Sequence, residues 1–180
     1  APFHPTTTDP HVPAMMAVLG AEIRKRFGLR LGINVLRNDA RAALGVAAAC
    51  GADFVRINVH VGATWTDQGL VQGRAHETLR YRRELLPTAG RPPISIAADI
   101  LVKHGVPAGN RDIATAAREA AGRGGADIII VTGSGTGAPT SLEDVRTVRD
   151  AVPNHPVWIG SGVDPSSLPA VRRVATGAIV

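Results

Sequence analysis

The sequence predicts an α/β protein, a parallel (β/α)8 barrel of the TIM type with about six of its eight strands present. Short β-rich segments alternate with amphipathic helical segments along all 180 residues, and strands joined through helices pair in parallel with right-handed crossovers. The strands alternate apolar and polar residues, whereas central strands of an open parallel sheet are apolar on both faces. The polar members stand late in each strand, at the end where barrel enzymes bind their ligands.

Six strands and six helices follow from the hydrophobic pattern and from the capping residues. The predicted strands are 29–36, 53–59, 94–101, 127–132, 157–163 and 177–180. The predicted helices are 10–27, 38–51, 74–86, 110–125, 141–152 and a last one that begins at 164. Ser141-Leu142-Glu143-Asp144 has the spacing of a capping box, which marks a helix start. Asp9 and Asp164, each followed by proline, are predicted to cap two further helices.

The predicted barrel is incomplete, because closure takes eight strands. We therefore expect residues 1–180 to form a single barrel domain that lacks the amino-terminal strands and the tail after the last strand. Strands 29–36 and 177–180 would then be the two edges of an open sheet and would not hydrogen-bond to each other. Such edges and apolar residues exposed at the gap predict an aggregation-prone chain.

Composition narrows the classes of partner. The formal net charge is +5, but the arginines are scattered over predicted helices near acidic residues and no aromatic-interleaved basic patch is present, so we predict no nucleic-acid binding. No apolar run has the length of a membrane span. Cys50 is the only cysteine, which excludes a disulfide within the chain and suits a core position. We expect a cytoplasmic protein; homo-oligomerisation of the full-length protein stays open.

Polar residues late in the strands are predicted to meet at the mouth of the barrel. These residues are Asn34, Arg56, Asn58, Asp99 and Thr132. One interpretation is a substrate-binding site in which Asp99 acts as an acid, a base or a metal ligand. The other is a structural ion pair, with Arg56 and Asp99 neutralising each other inside the protein. The sequence identifies neither a metal nor a cofactor.

Two loops could add further groups to this mouth. Lys103 and His104 follow the strand that carries Asp99, so they are candidates for proton transfer, or Lys103 for binding an anion; solvated loop residues are the alternative. The connection 61–69 is longer than a plain strand-to-helix turn and could fold over the mouth as a lid. Within it, Trp65 could cover a ligand, and Asp67 is a candidate substrate-binding residue.

Two glycine-rich turns follow predicted strands and are candidates for binding phosphate through backbone N–H groups. The first contains Gly133 and Gly135, and the second contains Gly160, Ser161 and Gly162. If the last strand is the eighth of a barrel, the second turn follows the seventh, where barrels commonly bind phosphate. The alternative is that these glycines only permit tight turns.

Several motifs, in order along almost the whole chain, resemble those of the BtpA family, also called BtpA/SgcQ. They are Gly32-Ile33-Asn34-Val35-Leu36-Arg37-Asn38-Asp39-Ala40, Phe54-Val55-Arg56-Ile57-Asn58-Val59, Thr66-Asp67-Gln68-Gly69, Leu79-Arg80-Tyr81-Arg82-Arg83, Ala98-Asp99-Ile100-Leu101-Val102-Lys103-His104, Val131-Thr132-Gly133 with Thr136-Gly137-Ala138-Pro139, and Gly160-Ser161-Gly162-Val163. The resemblance implies a barrel related to the ribulose-phosphate-binding group. Members are described as photosystem I biogenesis factors, and others as sugar-metabolism proteins of unknown reaction.

We therefore expect a barrel that binds a small phosphorylated metabolite at its mouth, as a sugar-phosphate isomerase or lyase. The alternative is a non-catalytic factor for photosystem I biogenesis or assembly. A catalyst is expected to show a concave pocket with unpaired acid–base groups, whereas a scaffold can have every polar group paired.

Overall fold

The six predicted strands form one parallel sheet in the computed structural model, which describes residues 3–4, 6–85, 92–102, 104–109, 111–133 and 139–179. With strands numbered in chain order, the sheet contains β1 (Gly32–Ile33), β2 (Phe54–Ile57), β5 (Ser95–Asp99), β7 (Ile128–Val131), β8 (Val157–Ile159) and β9 (Gly177–Ala178). Their order is β1-β2-β5-β7-β8-β9, and every neighbouring pair is parallel. The sheet curls into a half-barrel, which confirms the predicted architecture.

Helices connect these strands and cover the outer face of the sheet. They are α1 (His11–Arg26), α2 (Ala40–Cys50), α3 (Ala75–Glu84), α4 (Ile113–Ala121), α5 (Leu142–Ala151) and α6 (Leu168–Val171). The Ser141 side chain accepts a hydrogen bond from the Asp144 amide, as the predicted capping box requires. Asp9 does not cap α1 as predicted: its carbonyl oxygen only accepts from the Val12 amide, and Pro10 stands at the N-cap.

The connection after β2 is an antiparallel structure that the sequence did not predict. Strands β3 (Ala63–Thr66) and β4 (Gly69–Gln72) form a hairpin, and β6 (Gly105–Pro107) pairs with the other edge of β3. Each strand has only three or four residues. The tip, Asp67-Gln68, lacks the Asn-Gly or Asp-Gly signature of a two-residue hairpin. The sequence pattern of this segment therefore predicts a loop.

The two faces of the sheet have different environments, as the alternating strands predict. Val55 and Ile57 point toward the helices and are buried in the main core. On the opposite, lumen face, Phe54 and Trp158 pack edge to face with ring centroids 5.1 Å apart. A Cβ at Gly32 would lie 2.2 Å from the Phe54 ring, so the ring fits only beside a glycine. The apolar layer of the lumen thus lies below the polar mouth.

The edges of the sheet stay apart, as predicted. In the described part of the chain, β1 pairs with β2 and β9 with β8, at opposite ends of the strand order. Beside β1, α1 packs closely against α2 at Gly20, where a Cβ would lie 2.8 Å from the buried Cys50 sulfur. The rest of α1 exposes large apolar side chains. These are Met15, Val18, Leu19 and Ile23, continued by Phe27 just after the helix.

Candidate functional site

A hydrogen-bonded polar cluster occupies the mouth at the carboxyl ends of β1, β2 and β5. Arg56 donates from Nε and Nη2 to the two carboxylate oxygens of Asp99, each over 2.9 Å. Asn58 donates to Asp99 Oδ2 over 2.8 Å. Asn34 donates to Asn58 Oδ1 over 3.2 Å and to the Arg56 carbonyl oxygen over 2.9 Å. The structure therefore brings together four of the residues predicted to meet there.

Burial makes the Arg56–Asp99 pair the rigid centre of this cluster. The Asp99 side chain is 0% exposed and the Arg56 side chain 14% exposed. A planar guanidinium bound through two parallel hydrogen bonds has one fixed orientation. This side-on pairing turns the Nη1–Nη2 edge of Arg56 away from Asp99. The geometry favours Asp99 as a group that positions Arg56, and an acid–base role for Asp99 stays a prediction.

The turn after β8 lies against Arg56, because residue 160 has no side chain. A Cβ at Gly160 would lie 3.3 Å from Arg56 Nη2, 2.7 Å from Thr132 Cγ2 and 2.8 Å from Ile130 Cγ2. Thr132 donates its hydroxyl to the Leu101 carbonyl oxygen over 3.0 Å, which fixes it at the end of β7. The predicted substrate residue Thr132 thus lies next to the predicted phosphate turn.

Hydrogen bonds shape the turn itself. Ser161 is buried, and its carbonyl oxygen accepts from the Thr140 hydroxyl over 3.1 Å. Gly162 has φ +70°, a left-handed conformation that favours glycine. Further along, Asp164 accepts from the Ser166 hydroxyl and the Ser167 amide, which lowers the pKa of its carboxyl group. Ser166 and Ser167, whose amides donate to Asp164, lie just before α6, which begins at Leu168 and not at 164 as predicted. Phosphate binding at Gly160, Ser161 and Gly162 stays a prediction.

The remaining predicted site residues lie in different parts of the chain. Lys103 and Gly135 lie outside the described residues. Gly133 is buried directly after β7. His104 is exposed, with φ +58°, immediately before β6. Their catalytic or phosphate-binding roles stay predictions.

A second arginine–aspartate pair, which the sequence analysis did not single out, lies above β1. Arg37 Nη1 and Asp67 Oδ1 are 3.5 Å apart, without hydrogen-bond geometry. The Arg37 side chain is 7% exposed and stacks over the Phe3 ring at 5.4 Å. Gln68 donates to the other oxygen of Asp67. Asp67, predicted to bind substrate, thus contacts a buried arginine; the one available signal was the position of Arg37 just beyond a strand end.

His60, at the end of the segment that follows β2, is another buried titratable group that the sequence analysis missed. Its Nε2 lies 2.7 Å from the Gly124 carbonyl oxygen, and its Nδ1 has no hydrogen-bond partner. Desolvation by burial lowers the pKa of His60, against the raising effect of the Gly124 bond. The side chain is thus bonded to the segment just after α4.

Two cavities flank the mouth. One of about 130 Å³ lies between the starts of α2 and α3, with Asn38, Gln72 and Arg74 in its wall. The other, about 40 Å³, reaches Asp99 beside Thr64 and Arg111. Both are smaller than the roughly 300–1,000 Å³ of typical ligand pockets. Among the described residues, no group of three or more His, Cys, Asp or Glu side chains could hold a metal ion. No helix of the described part is long and apolar enough to cross a membrane.

Several solved structures have a fold similar to that of this chain. FabK from Thermotoga maritima superposes with a TM-score of 0.60 and 17% identity, over 92% of this chain and 46% of that one. The YdjI aldolase from Escherichia coli K12 superposes with a TM-score of 0.53 and 14% identity, over 92% and 58%. At these identities the likeness shows the fold alone: these neighbours are TIM-barrel proteins.

Other proteins are more similar to this chain in sequence than these solved structures are. Photosystem I biogenesis protein BtpA from Synechocystis sp. is 43% identical over 180 residues, which are 100% of this chain and 61% of that protein. An uncharacterised protein of Thermococcus kodakarensis is 40% identical over 179 residues, or 99% and 65%. The chain thus spans less than two thirds of the length of these relatives. The model of the BtpA family matches residues 1–180, so the chain belongs to the BtpA family.

Proposed function

We propose that this protein binds a small phosphorylated metabolite at the carboxyl-end mouth of its barrel, as a cytoplasmic sugar-phosphate isomerase or lyase. One observation carries the proposal: Asp99 holds Arg56 in the lumen through two hydrogen bonds, beside the glycine turn after β8, where a Cβ at Gly160 would lie 3.3 Å from Arg56 Nη2. A fixed guanidinium matches the geometry of phosphate oxygens. Backbone N–H groups of a glycine turn supply further donors.

Each residue of the mouth then has a role. Arg56 binds phosphate oxygens through the edge turned away from Asp99, together with the amides of Gly160, Ser161 and Gly162. Asn34, Asn58 and Thr132 contact the rest of the metabolite. The acid–base groups for isomerisation or cleavage come from Asp99, Lys103 and His104, of which Asp99 also keeps Arg56 in place.

Thermal shift measurements test the binding directly. A ligand that binds only the folded state raises the melting temperature with its concentration. We expect ribulose 5-phosphate and inorganic phosphate to raise it at millimolar concentration. The Arg56→Lys variant keeps the charge but cannot form two parallel hydrogen bonds. It should therefore lose most of the rise in melting temperature. Arg146→Lys, an exposed substitution on α5, is the matched control. No shift with either compound would overturn the proposal.

Two observations favour a second candidate, a non-catalytic role in photosystem I biogenesis. One is the 43% identity to the Synechocystis protein of that name. The other is that Arg56, Asn58 and Asp99 bond to one another, as a scaffold allows. Grafting these 180 residues in place of the matching segment of the Synechocystis protein tests this candidate. Normal photosystem I levels with the graft, kept in the Arg56→Lys form, would favour assembly over metabolite binding.

A further inference from the structure

Two neighbouring side chains above β1 each keep a buried atom without a hydrogen bond. These atoms are Arg37 Nη1 and Gln68 Oε1, in the described part of the chain. Both side chains contact the same carboxylate, that of Asp67. Buried polar atoms are nearly always paired in native proteins, and an unpaired one calls for an ordered water, an ion or a functional role. Two such atoms on side chains that contact one carboxylate therefore point to a bonding group beside that carboxylate.

The chemistry of the two atoms restricts what that group is. Arg37 Nη1 can only donate a hydrogen bond, and Gln68 Oε1 can only accept one. The Gln68 orientation is fixed, because its Nε2 must face the Asp67 carboxylate. A fully ionised phosphate or carboxylate would accept a hydrogen bond from Arg37. It would have no proton to donate to Gln68 Oε1 and would be repelled by the Asp67 carboxylate. A metal ion would be repelled by Arg37. A hydroxyl both donates and accepts, so the same kind of group can satisfy either atom.

Arg37 and the hairpin tip lie in different surroundings. Arg37 stacks on Phe3, and its backbone N–H donates to the His4 carbonyl oxygen over 3.3 Å. The base of the β3–β4 hairpin is tied by β6. Its tip protrudes, with the Asp67 side chain 64% exposed. Because Arg37 Nη1 is shielded from solvent, a ligand that binds it would require the tip to move first.

We propose that Arg37, Asp67 and Gln68 form a polyol subsite, at which the hairpin tip closes on a hydroxyl of the bound metabolite. This inference rests on the proposed function, because the polyol would be the hydroxylated chain of the metabolite whose phosphate binds at Arg56. It names the substrate class as a phosphorylated polyol or sugar. Arg37 is the binding residue that selects for the hydroxyl.

NMR titrations separate this subsite from the phosphate site. Ribitol, which has hydroxyls and no phosphate, should shift the side-chain resonances of Arg37 and Gln68 at millimolar concentration. Inorganic phosphate should shift Arg56 and Gly160 and leave Arg37 unchanged. The Arg37→Met variant should weaken the ribitol response about tenfold or more, as loss of a hydrogen bond to a charged group does. Gln68→Met, which removes the Oε1 acceptor together with the Nε2 donor to Asp67, is the second variant, and the exposed Arg123→Met is the control.

Each outcome decides one of the two proposals. Ribitol shifts that vanish in Arg37→Met support the polyol subsite, even if inorganic phosphate does not bind and the proposed function fails. No ribitol shift in the wild-type protein means that the two atoms hold only a water molecule, which overturns the subsite and leaves the phosphate result untouched. A shift of Arg37 by inorganic phosphate would make Arg37 the phosphate-binding cation and would also overturn the subsite.

Discussion

Two arginine–aspartate pairs stand at the same end of the same sheet, and they are built differently. Arg56 makes two 2.9 Å hydrogen bonds to Asp99, whose side chain has no exposure. Arg37 lies 3.5 Å from Asp67 and leaves Nη1 unpaired, while Asp67 is mostly exposed. The first pair joins two adjacent strands of the parallel sheet. The second joins a strand end to the tip of a hairpin.

The comparison of the two pairs shows that burial of an arginine does not by itself define its role. A fully bonded pair fixes a geometry, and removing one partner leaves an uncompensated buried charge. A partly bonded arginine has donor capacity left for something else. The predictions below test whether Arg56–Asp99 is the rigid pair and Arg37–Asp67 the open one.

The largest effect is expected for Asp99→Ala, which leaves Arg56 buried without its carboxylate. Breaking a buried pair costs about 3–5 kcal/mol, which lowers the melting temperature by roughly 10 °C in a domain of this size. Urea denaturation measures this change in the free energy of unfolding. The double variant Asp99→Leu/Arg56→Met should recover most of it, because an apolar pair replaces the charges. A loss below about 0.5 kcal/mol in Asp99→Ala would remove the distinction between the pairs.

A smaller loss is expected for Gly160→Ala. The added Cβ would approach Thr132 Cγ2 to 2.7 Å and Ile130 Cγ2 to 2.8 Å, and overpacking of this kind costs about 1–3 kcal/mol. The same Cβ would press on Arg56, so phosphate binding should fall as well. Gly28→Ala is the control, since a Cβ there meets nothing within 4 Å. Equal melting temperatures for the two variants would mean that the turn does not pack closely against Thr132 and Ile130.

Arg37→Met should change the free energy of unfolding by less than about 1 kcal/mol. The methionine keeps apolar contact with Phe3 and loses a 3.5 Å ion pair to a carboxylate that is 64% exposed, and pairs with exposed carboxylates contribute little to stability. Urea denaturation of Arg37→Met and Asp99→Ala under the same conditions compares their free energies of unfolding directly. A loss as large as that of Asp99→Ala would show that Arg37 is as fully bonded as Arg56.

The smallest effect is a pH dependence that comes from His60, the third side chain with an unpaired buried atom. Its folded-state pKa is lowered by desolvation, so the unfolded chain binds the proton more readily. The contribution of His60 to stability is thus present above its unfolded pKa of about 6.5 and decreases as the pH falls below that value. Denaturation at pH 7.5 and 5.5 should show a loss that His60→Gln reduces. Identical losses in both proteins would exclude this role.

The parallel sheet could be predicted from the sequence, because its strands alternate and its helices carry their own signals. Residues Asn34, Arg56 and Asp99 could be assigned to one mouth since strand position alone determines their end and face. The hairpin could not be predicted, because its strands are short, its tip lacks a hairpin signature, and β6 pairs with β3 from a distant part of the chain. The state of Arg37 also depends on Phe3 and Asp67, which are far from it in the chain, so no local pattern reveals an unpaired Nη1.

A crystal structure of the protein soaked with ribulose 5-phosphate tests the central claim most directly. We predict the phosphate at the turn formed by Gly160, Ser161 and Gly162, within hydrogen-bond distance of Arg56, with the hydroxylated chain directed toward Arg37 and Gln68. The Asp99–Arg56 hydrogen bonds should be unchanged. Phosphate bound instead in the cavity beside Arg74, or a mouth without ligand at saturating concentration, would contradict the account.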